Sequence, residues 1–308
     1  MRAQTVIARA LSTELDLDVA ETRYRGHAAT LARHAVGQGY QLVVVLGGDG
    51  TANEAVNGIL TCSDDIREQP ALAVLPGGNA NVFARALGLP KDPIEATGAL
   101  LEGIRRCSMR TIGLGHADDR YFTFCAGLGL DAEVIRAVEG LRASGHRSSP
   151  WLYVGTAVRH FFSVTDRRDP ALRLEVPGAE PLDGIFLGVV SNASPWTYLG
   201  SRPVAPNPEA SFSSGLDLLA MRRLGAASTL NQIRQFLTPD GRTTRGHHTV
   251  TLHDCSELTL AATRPIAFQI DGDYLGERER VTFRAIPRAL RVIDPAVDGH
   301  LEVTDPTV

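Results

Sequence analysis

One segment, LVVVLGGDGTANEAVN at Leu42 to Asn57, constrains the fold of this chain more than any other. Its run of valines predicts a strand buried on both faces, as in a parallel sheet. The following glycines let the backbone turn sharply and approach a ligand closely, because they carry no Cβ. Thr51 and Glu54 have the spacing of a capping box, which predicts that a helix begins near Thr51. The free N–H groups of that helix would face the glycine loop and suit phosphate oxygens.

Asp49 is the most informative residue of the segment. A carboxylate in a loop that attracts anions needs a reason, such as a metal ion to bind or a proton to accept. The alternative is an ordinary strand-to-helix turn with a solvated aspartate. Asp49 is therefore a candidate for metal binding and for catalysis.

A second unit of the same kind follows in the chain. The apolar strand Ala71 to Leu75 leads into Gly77-Gly78 and then into a helix predicted over Ala80 to Leu87, with Asn79 as its N-cap and Gly88 after its end. The two units are about 30 residues apart, the length of one βαβ repeat. Because ligands bind at the carboxyl ends of parallel strands, two glycine loops meeting there indicate a site for a nucleotide phosphate tail.

Composition excludes several classes of protein. A chain of 308 residues with 44% hydrophobic residues can bury a large core and favours two domains. A net charge of −4 gives no electrostatic footprint for nucleic acid. No apolar run approaches the ~18 residues of a membrane span. The cysteines are widely spaced and lack a CxxC pair, which favours reduced thiols in a cytoplasmic protein over a metal cluster: Cys62, Cys107, Cys125 and Cys255.

The chain divides near Ile112. Residues 1–112 alternate helices with strands, which predicts an α/β domain, and Asp92 with Pro93 opens its last helix as a cap and first residue. The apolar stripe of that helix is expected to pack on the sheet: Ile94, Thr97, Leu100, Leu101 and Ile104.

Residues 113–287 have a period-2, turn-rich pattern that predicts a β-sandwich, interrupted by one helix at about Tyr153 to Phe162. The tail, 288–308, is expected to pack back on the first domain. The predicted strands of the second domain are Tyr121 to Cys125, Leu172 to Val176, Ile185 to Ser191, Leu216 to Met221, Thr249 to Leu252, Ile266 to Ile270 and Val281 to Arg284.

GGDGTANEAVNG and LPGGNANVFARALGLP closely resemble the diacylglycerol kinase catalytic-domain family, which includes bacterial lipid kinases and sphingosine kinases. GGDGT alone is shared with NAD kinases, and later blocks in the family's order favour the lipid kinases. These blocks are Phe124 to Ala132, Asn192, Ala205-Pro206, Gly215-Leu216-Asp217 and Gln269 to Asp273. The resemblance implies an NAD-kinase-like α/β domain followed by a β-sandwich that binds the lipid.

The activity implied is transfer of the ATP γ-phosphoryl group to a lipid hydroxyl, with diacylglycerol converted to phosphatidic acid in phospholipid biosynthesis. The cofactors implied are ATP and Mg²⁺, with Asp49 holding the metal directly or through water. The partner is a lipid at the membrane surface, which a cytoplasmic protein would meet through transient peripheral contact; the oligomeric state is left open, a homodimer included. The nucleotide site implied comprises Thr22, Gly47, Gly48, Asp49, Gly50, Thr51, Ala52, Asn53, Glu54, Gly77, Gly78, Asn79 and Asn81.

The catalytic base is implied on the turn Asp271-Gly272-Asp273, which follows the strand Ile266 to Ile270. Either aspartate can be the proton acceptor, and the sequence does not separate them. An Asp-Gly pair is also an ordinary hairpin turn.

The chain departs from the family pattern in four places. Counting back from Thr22 puts the family's first strand and its Asn-Pro-x-Ser-Gly-like phosphate loop before Met1. Val82 stands where an acid helps to hold Mg²⁺, and Ser213 lies in a loop that elsewhere holds a structural Mg²⁺ through an aspartate, so that second metal site is expected to be weak or empty. Asp273 replaces a glutamate. The missing first loop, Val82 and Ser213 motivate one alternative, a catalytically weak member that binds lipid or nucleotide. A relative of NAD kinase is a third interpretation, against which the later blocks argue.

Overall fold

The computed structural model describes residues 3–62, 65–129, 132–133, 135–137, 169–225, 231–232, 234–236 and 246–295. The helix predicted at Tyr153 to Phe162 and the end of the tail, 296–308, lie outside these ranges. Among the described residues, no helix is both long enough and apolar enough to cross a bilayer.

The first half of the chain alternates helices and strands, as predicted. Its strands β1 and β2 pair in parallel over their whole length, with Gly47 opposite Pro76, so both strands end at the same edge of the sheet. The elements are α1 Ala3–Leu11, α2 His27–Gly37, β1 Leu42–Gly47, α3 Asp49–Leu60, β2 Ala71–Pro76, α4 Val82–Ala86 and α5 Pro93–Arg105.

Helix α5 begins as predicted. The Asp92 carboxylate accepts hydrogen bonds from the backbone N–H groups of Ile94 and Glu95, and Pro93 is the first helical residue. The predicted apolar stripe is wrong at Ile94, whose surface is 57% exposed. The buried face of α5 runs through Ala96, Leu100 and Gly103, and Ile94 lies outside it.

Two other helices begin elsewhere than predicted. Helix α3 begins at Asp49 with Gly48 as its N-cap, so the capping box of Thr51 and Glu54 does not form. The Glu54 carboxylate instead accepts hydrogen bonds from the N–H groups at the start of α2. Helix α4 begins at Val82, and its N-cap is Asn81 in the left-handed conformation (φ 49°), not Asn79.

The second half of the chain is rich in strands, and most predicted strands are present with shifted ends. A segment predicted as one strand at Tyr121 to Cys125 is two strands, and the strands β13 and β14 form a much longer hairpin than predicted. The strands are β3 Met109–Ala117, β4 Arg120–Phe122, β5 Cys125–Gly129, β6 Leu172–Glu175, β7 Leu182–Ile185, β8 Leu187–Ser191, β9 Thr197–Leu199, β10 Arg202–Val204, β11 Leu216–Met221, β12 Thr249–Cys255, β13 Glu257–Ile270 and β14 Asp273–Ile293.

Strand β14 connects the two halves. It pairs antiparallel with β13 for most of its length. Near its C-terminal end it pairs parallel with β2, where Val292 is opposite Leu72. The main strand order is therefore β1-β2-β14-β13-β5-β8-β11-β12. One buried apolar cluster lies around β1, β2 and the helices, and a second lies among β5, β8, β11, β13 and β14. The predicted fold class was an α/β domain followed by a β-sandwich, and the structure confirms an α/β domain followed by a β-rich domain; the boundary at residues 112 and 113 stays a prediction.

Close packing of α2 on α3 sets where the segment before α2 lies. A Cβ added at Gly58 of α3 would overlap the carbonyl oxygen of Ala29 and lie 2.8 Å from the Cβ of Ala32 in α2. Glycine at this position therefore allows the two helices to touch through their backbones.

We expect Gly58→Ala to reduce the free energy of unfolding by about 1 to 3 kcal/mol, since the added methyl group forces α2 away from α3. Gly98→Ala in α5 is the matched control, because an added Cβ there meets nothing within 4 Å. That change should raise stability by about 0.5 to 1 kcal/mol through helix propensity. Urea unfolding of both variants measures the two values, and the same sign for both would contradict this account of the α2–α3 contact.

Candidate functional site

The two glycine loops touch each other at the ends of β1 and β2. The Gly77 N–H donates to the Gly47 carbonyl oxygen at 2.8 Å. A Cβ added at Gly78 would lie 2.6 Å from the Cα of Gly48, which no ordinary side chain tolerates. The two glycine loops therefore come together, as predicted from the sequence, and they touch through their backbones.

Asp49 links the two loops. It is the first residue of α3, and its Oδ1 accepts a hydrogen bond of 2.9 Å from the N–H of Phe83 in α4. Burial raises the pKa of Asp49 to about 6, the N–H groups of Phe83 and Val82 oppose that shift, and the nearby charge of Asp271 adds to it. A bound cation would offset both the desolvation and the like charge, so the surroundings of this carboxylate fit a role as a metal ligand.

The turn between β13 and β14 lies next to this helix start. Asp271 (φ 49°) and Gly272 (φ 81°) are both left-handed, as a two-residue type I′ hairpin turn requires. Ile270 and Asp273 pair across the turn. The predicted turn Asp271-Gly272-Asp273 is confirmed as a hairpin, and it is one whose first aspartate is buried.

The Asp271 carboxylate accepts five hydrogen bonds. Its Oδ2 accepts from the N–H and the hydroxyl of Thr123 at 2.7 and 2.8 Å and from the Asn53 amide at 2.8 Å. Its Oδ1 accepts from the N–H groups of Phe124 and Cys125 at 3.0 and 3.1 Å. Burial raises the pKa of Asp271, and the backbone N–H groups and the Thr123 hydroxyl act against that shift. Every partner is a hydrogen-bond donor, and donors favour the ionised form of a carboxyl group. These contacts indicate a structural role for the Asp271 carboxylate.

Asn53 is held in the orientation that Asp271 needs. The Asn53 side-chain oxygen accepts from the Arg120 guanidinium at 2.6 and 3.0 Å, which leaves its NH₂ group to donate to Asp271 and to the Tyr121 carbonyl oxygen. Helix α3 is thereby joined to β4 and to the β13–β14 turn.

Asp273 has a different environment from Asp271. Its side chain is 27% exposed, and its carboxylate lies beside Gly50 at the start of α3: a Cβ added at Gly50 would be 3.2 Å from Asp273 Oδ2. The same oxygen lies 3.4 Å from an amino group of Arg25. Asp273 is thus a partly exposed carboxylate at the start of α3.

The predicted nucleotide residues fall into three groups. Gly47, Gly48, Gly50, Gly77, Gly78 and Asp49 come together at the strand ends, with Thr51 packed on Gly47. Ala52 and Asn53 are buried, Glu54 holds the start of α2, and Asn81 exchanges hydrogen bonds with Gly78. Thr22 and Asn79 are exposed residues of loops.

Sequence reasoning missed several residues of this region. No role was predicted for the block that begins at Phe124, and the structure places Thr123, Phe124 and Cys125 around Asp271. It also missed Arg25, and Arg85, whose guanidinium stacks on the Tyr198 ring at 3.1 Å. The sequence pattern that indicated Asp271 was an Asp-Gly turn after an apolar strand. The contacts of Thr123, Arg25 and Arg85 join distant parts of the chain, so no local sequence pattern predicts them.

The β-domain loop with Ser213 is closed by its own hydrogen bonds. Ser211 and Ser213 share a hydroxyl contact of 2.8 Å, and the Gly215 N–H donates to Asp254. The neighbouring buried Asp217 accepts from the Asp254 N–H and lies 2.8 Å from His253, whose pKa is raised by that contact. In the part of the chain that is described, no three His, Cys, Asp or Glu side chains are grouped to hold a metal ion.

Comparison with known proteins extends the resemblance. Residues 2–112 match the family model of the diacylglycerol kinase catalytic domain. A diacylglycerol kinase of Bacillus subtilis is 37% identical over 261 residues, 83% of this chain and 78% of that protein. A probable lipid kinase YegS-like protein of Chromohalobacter salexigens is 40% identical over 112 residues, 36% of this chain and 34% of that protein.

Solved structures share the fold. A diacylglycerol kinase structure from Bacillus anthracis aligns with a TM-score of 0.65 at 18% identity and covers 94% of this chain and 89% of its own. An NAD kinase from Archaeoglobus fulgidus in complex with ATP aligns with a TM-score of 0.52 at 11% identity, over 96% of this chain and 91% of its own. At these identities the likeness concerns the fold alone.

The raised pKa of Asp49 predicts how stability depends on pH. Because the folded-state pKa of about 6 lies above the ordinary value of 3.8, ionised Asp49 costs stability, by about 3 kcal/mol at most. The cost is absent below about pH 4 and complete above about pH 6. Asp49→Asn keeps an oxygen for the Phe83 N–H and lacks the charge. Its stability relative to the wild type should therefore rise between pH 4 and pH 6.5 in urea unfolding without metal or nucleotide, and parallel pH profiles would contradict the assignment.

Asp271→Asn should reduce the free energy of unfolding by about 3 to 5 kcal/mol, because its amide NH₂ would face N–H donors and leave them without acceptors. The same substitution at Asp183, whose side chain is 73% exposed, serves as the control and should change stability by less than about 0.5 kcal/mol. Equal stabilities of the two variants would show that the Asp271 contacts do not hold the two halves together.

Proposed function

This chain belongs to the diacylglycerol kinase catalytic-domain family, and on that premise we propose that it is an ATP- and Mg²⁺-dependent lipid kinase that phosphorylates diacylglycerol. The observation that carries the proposal is the position of Asp273. Its accessible carboxylate lies beside Gly50, at a helix start where two glycine loops meet. A phosphate-binding backbone and a proton acceptor thus share one site.

The glycine loops would bind the phosphates. The N-terminus of α3 presents N–H groups and the positive end of the helix dipole, and the small residues around it let phosphate oxygens reach the backbone. The exposed positions of Gly77, Gly78 and Asn79 beside Gly48 support the same use of the second loop.

Asp273, and not Asp271, is the proton acceptor in this proposal. Asp271 already accepts five hydrogen bonds and is buried, so a substrate hydroxyl has no oxygen to approach. Asp273 follows two residues later on the open side of the same turn. It would take the proton of the lipid hydroxyl as that oxygen bonds to the γ-phosphorus and the bond to the β–γ bridging oxygen breaks.

Asp49 is the residue that would hold the magnesium ion. When bound there, Mg²⁺ supplies charge neutralisation for the triphosphate. The Val82 side chain offers no ligand to that site, because it is apolar and buried in the core; only its backbone N–H acts on Asp49.

The buried Val82 also favours a second candidate function: a family member that binds lipid or nucleotide with little or no turnover. The NAD kinase alternative is supported by the shared GGDGT motif and by a shared fold at 11% identity, whereas the diacylglycerol kinase of Bacillus subtilis is 37% identical over most of both chains.

Asp273→Asn should lower transfer of labelled phosphate from ATP to diacylglycerol by at least about 100-fold, the usual contribution of a general base. Asp273→Glu, which keeps the carboxylate, should retain activity, and both variants should unfold at the same urea concentration as the wild type. Full activity of Asp273→Asn would exclude Asp273 as the base. A wild-type protein that binds ATP and phosphorylates neither diacylglycerol nor NAD would favour the non-catalytic candidate.

A further inference from the structure

A positive side chain lies against the proposed base. An amino group of Arg25 is 3.4 Å from Asp273 Oδ2, and the Arg25 side chain is 60% exposed. Because Asp273 in turn lies beside Gly50, the guanidinium is at the same helix start that would bind the phosphates.

The backbone that carries Arg25 is fixed to α3. The Gly26 and Ala28 N–H groups donate to the Glu54 carboxylate at 2.7 and 3.2 Å, and Glu54 lies one turn after Gly50 in the same helix. The preceding residues are also held, since the Arg23 N–H donates to the His27 ring and Tyr24 stacks on that ring at 4.6 Å. The backbone that carries the Arg25 side chain is therefore positioned, while the side chain itself is 60% exposed.

Three carboxylates lie at the site, and the Arg120 guanidinium near them is already bonded to the Asn53 side chain. Asp49, Asp271 and Asp273 all lie near the start of α3, yet the proposed substrate is a polyanion. The sequence contains one lysine, Lys91, in the loop between α4 and α5, so cationic contacts in this protein are made chiefly by arginine. The ring-stacked face of Arg85 is already occupied by Tyr198.

The contact between Arg25 and Asp273 is weak enough to exchange. At 3.4 Å it is longer than a strong charge-assisted hydrogen bond, which is about 2.7 to 2.9 Å. Exposed ion pairs of this kind add little to stability. A phosphate group matches the planar guanidinium in geometry and offers several acceptor oxygens, so it can compete for Arg25.

Resting on the proposed kinase function, we propose that Arg25 is a catalytic residue that contacts the γ-phosphoryl group of ATP. In the free protein its guanidinium pairs with Asp273. With ATP bound it donates to the γ-phosphoryl oxygens, and Asp273 becomes available for the lipid hydroxyl.

The transfer step balances without any change in Arg25. The lipid oxygen bonds to the γ-phosphorus, the bond from that phosphorus to the β–γ bridging oxygen breaks, and the electron pair leaves with ADP. The hydroxyl proton goes to Asp273. Arg25 keeps its protons and stabilises the charge on the transferred group, a contribution for which arginine is suited because it stays protonated.

Steady-state kinetics of Arg25→Gln, Arg25→Lys and the control Arg23→Gln test the proposal, with labelled ATP and diacylglycerol in detergent micelles. Arg23 is an exposed arginine of the same segment, so its variant removes the same charge two residues away. Arg25→Gln should lower kcat by at least about 100-fold, the cost of losing a donor to transition-state charge. Arg25→Lys should recover part of the loss, Arg23→Gln should leave kcat unchanged, and the KM for diacylglycerol should stay constant throughout.

Two results would overturn the role of Arg25. An unchanged kcat in Arg25→Gln, with Asp273→Asn inactive, would reject Arg25 and keep the kinase assignment. A raised KM for ATP at unchanged kcat would assign Arg25 to ground-state binding and reject its catalytic role.

A binding experiment separates this proposal from the kinase function on which it rests. If the wild type phosphorylates no lipid, the kinase function fails, and equilibrium binding of ATP without lipid then tests the Arg25 contact alone. If Arg25→Gln binds ATP at least about tenfold more weakly than Arg23→Gln does, the contact of Arg25 with the γ-phosphoryl group is supported. Equal affinities of the two variants would overturn it.

Discussion

The site of this protein depends on one buried carboxylate. Asp271 accepts hydrogen bonds from the Asn53 side chain in α3, from the Thr123 hydroxyl, and from the backbone N–H groups of residues 123–125 where β4 connects to β5. It thereby joins the α/β half to the β-rich half at the point where the glycine loops end. Since Asp273 is on the same two-residue turn, anchoring Asp271 also determines where Asp273 lies relative to Gly50.

Three aspartates of one chemical type have three environments here. Asp271 is buried and fully bonded by donors, Asp49 is partly bonded and has a pKa raised to about 6 by burial, and Asp273 is accessible. Burial disfavours the charged form of a carboxylate, whereas donors and cations favour it. The number of hydrogen-bond donors therefore suits Asp271 to a structural role, Asp49 to binding a cation and Asp273 to contact with substrate. These are the roles of the three aspartates in the proposed kinase.

Local rules predicted the elements that depend on local contacts. The strands β1 and β2 and the Asp92 cap of α5 follow from short patterns, and the structure has them within one or two residues. The capping box of Thr51 and Glu54 failed because Glu54 has a better use: it accepts from the N–H groups at the start of α2, which only the folded chain brings near. The predicted β13–β14 hairpin was too short because many residues of its outer part are charged. They form ion pairs with neighbouring strands and do not show the alternation of apolar and polar residues that predicts a strand.

The sequence by itself determined that two glycine loops end neighbouring parallel strands, because this depends on glycine conformation and strand pattern. Its resemblance to the kinase family, and no local rule, assigned the Asp271-Gly272-Asp273 turn to the site. It left Asp271 and Asp273 equivalent. Only the tertiary structure distinguished them, since four of the five donors around Asp271 come from residues 146 to 148 positions earlier in the chain and the fifth, the Asn53 amide, comes from 218 positions earlier. The contact of Arg25 with Asp273 was decided in the same way, because it joins residues from opposite ends of the chain whose proximity depends on how β14 returns to the first sheet.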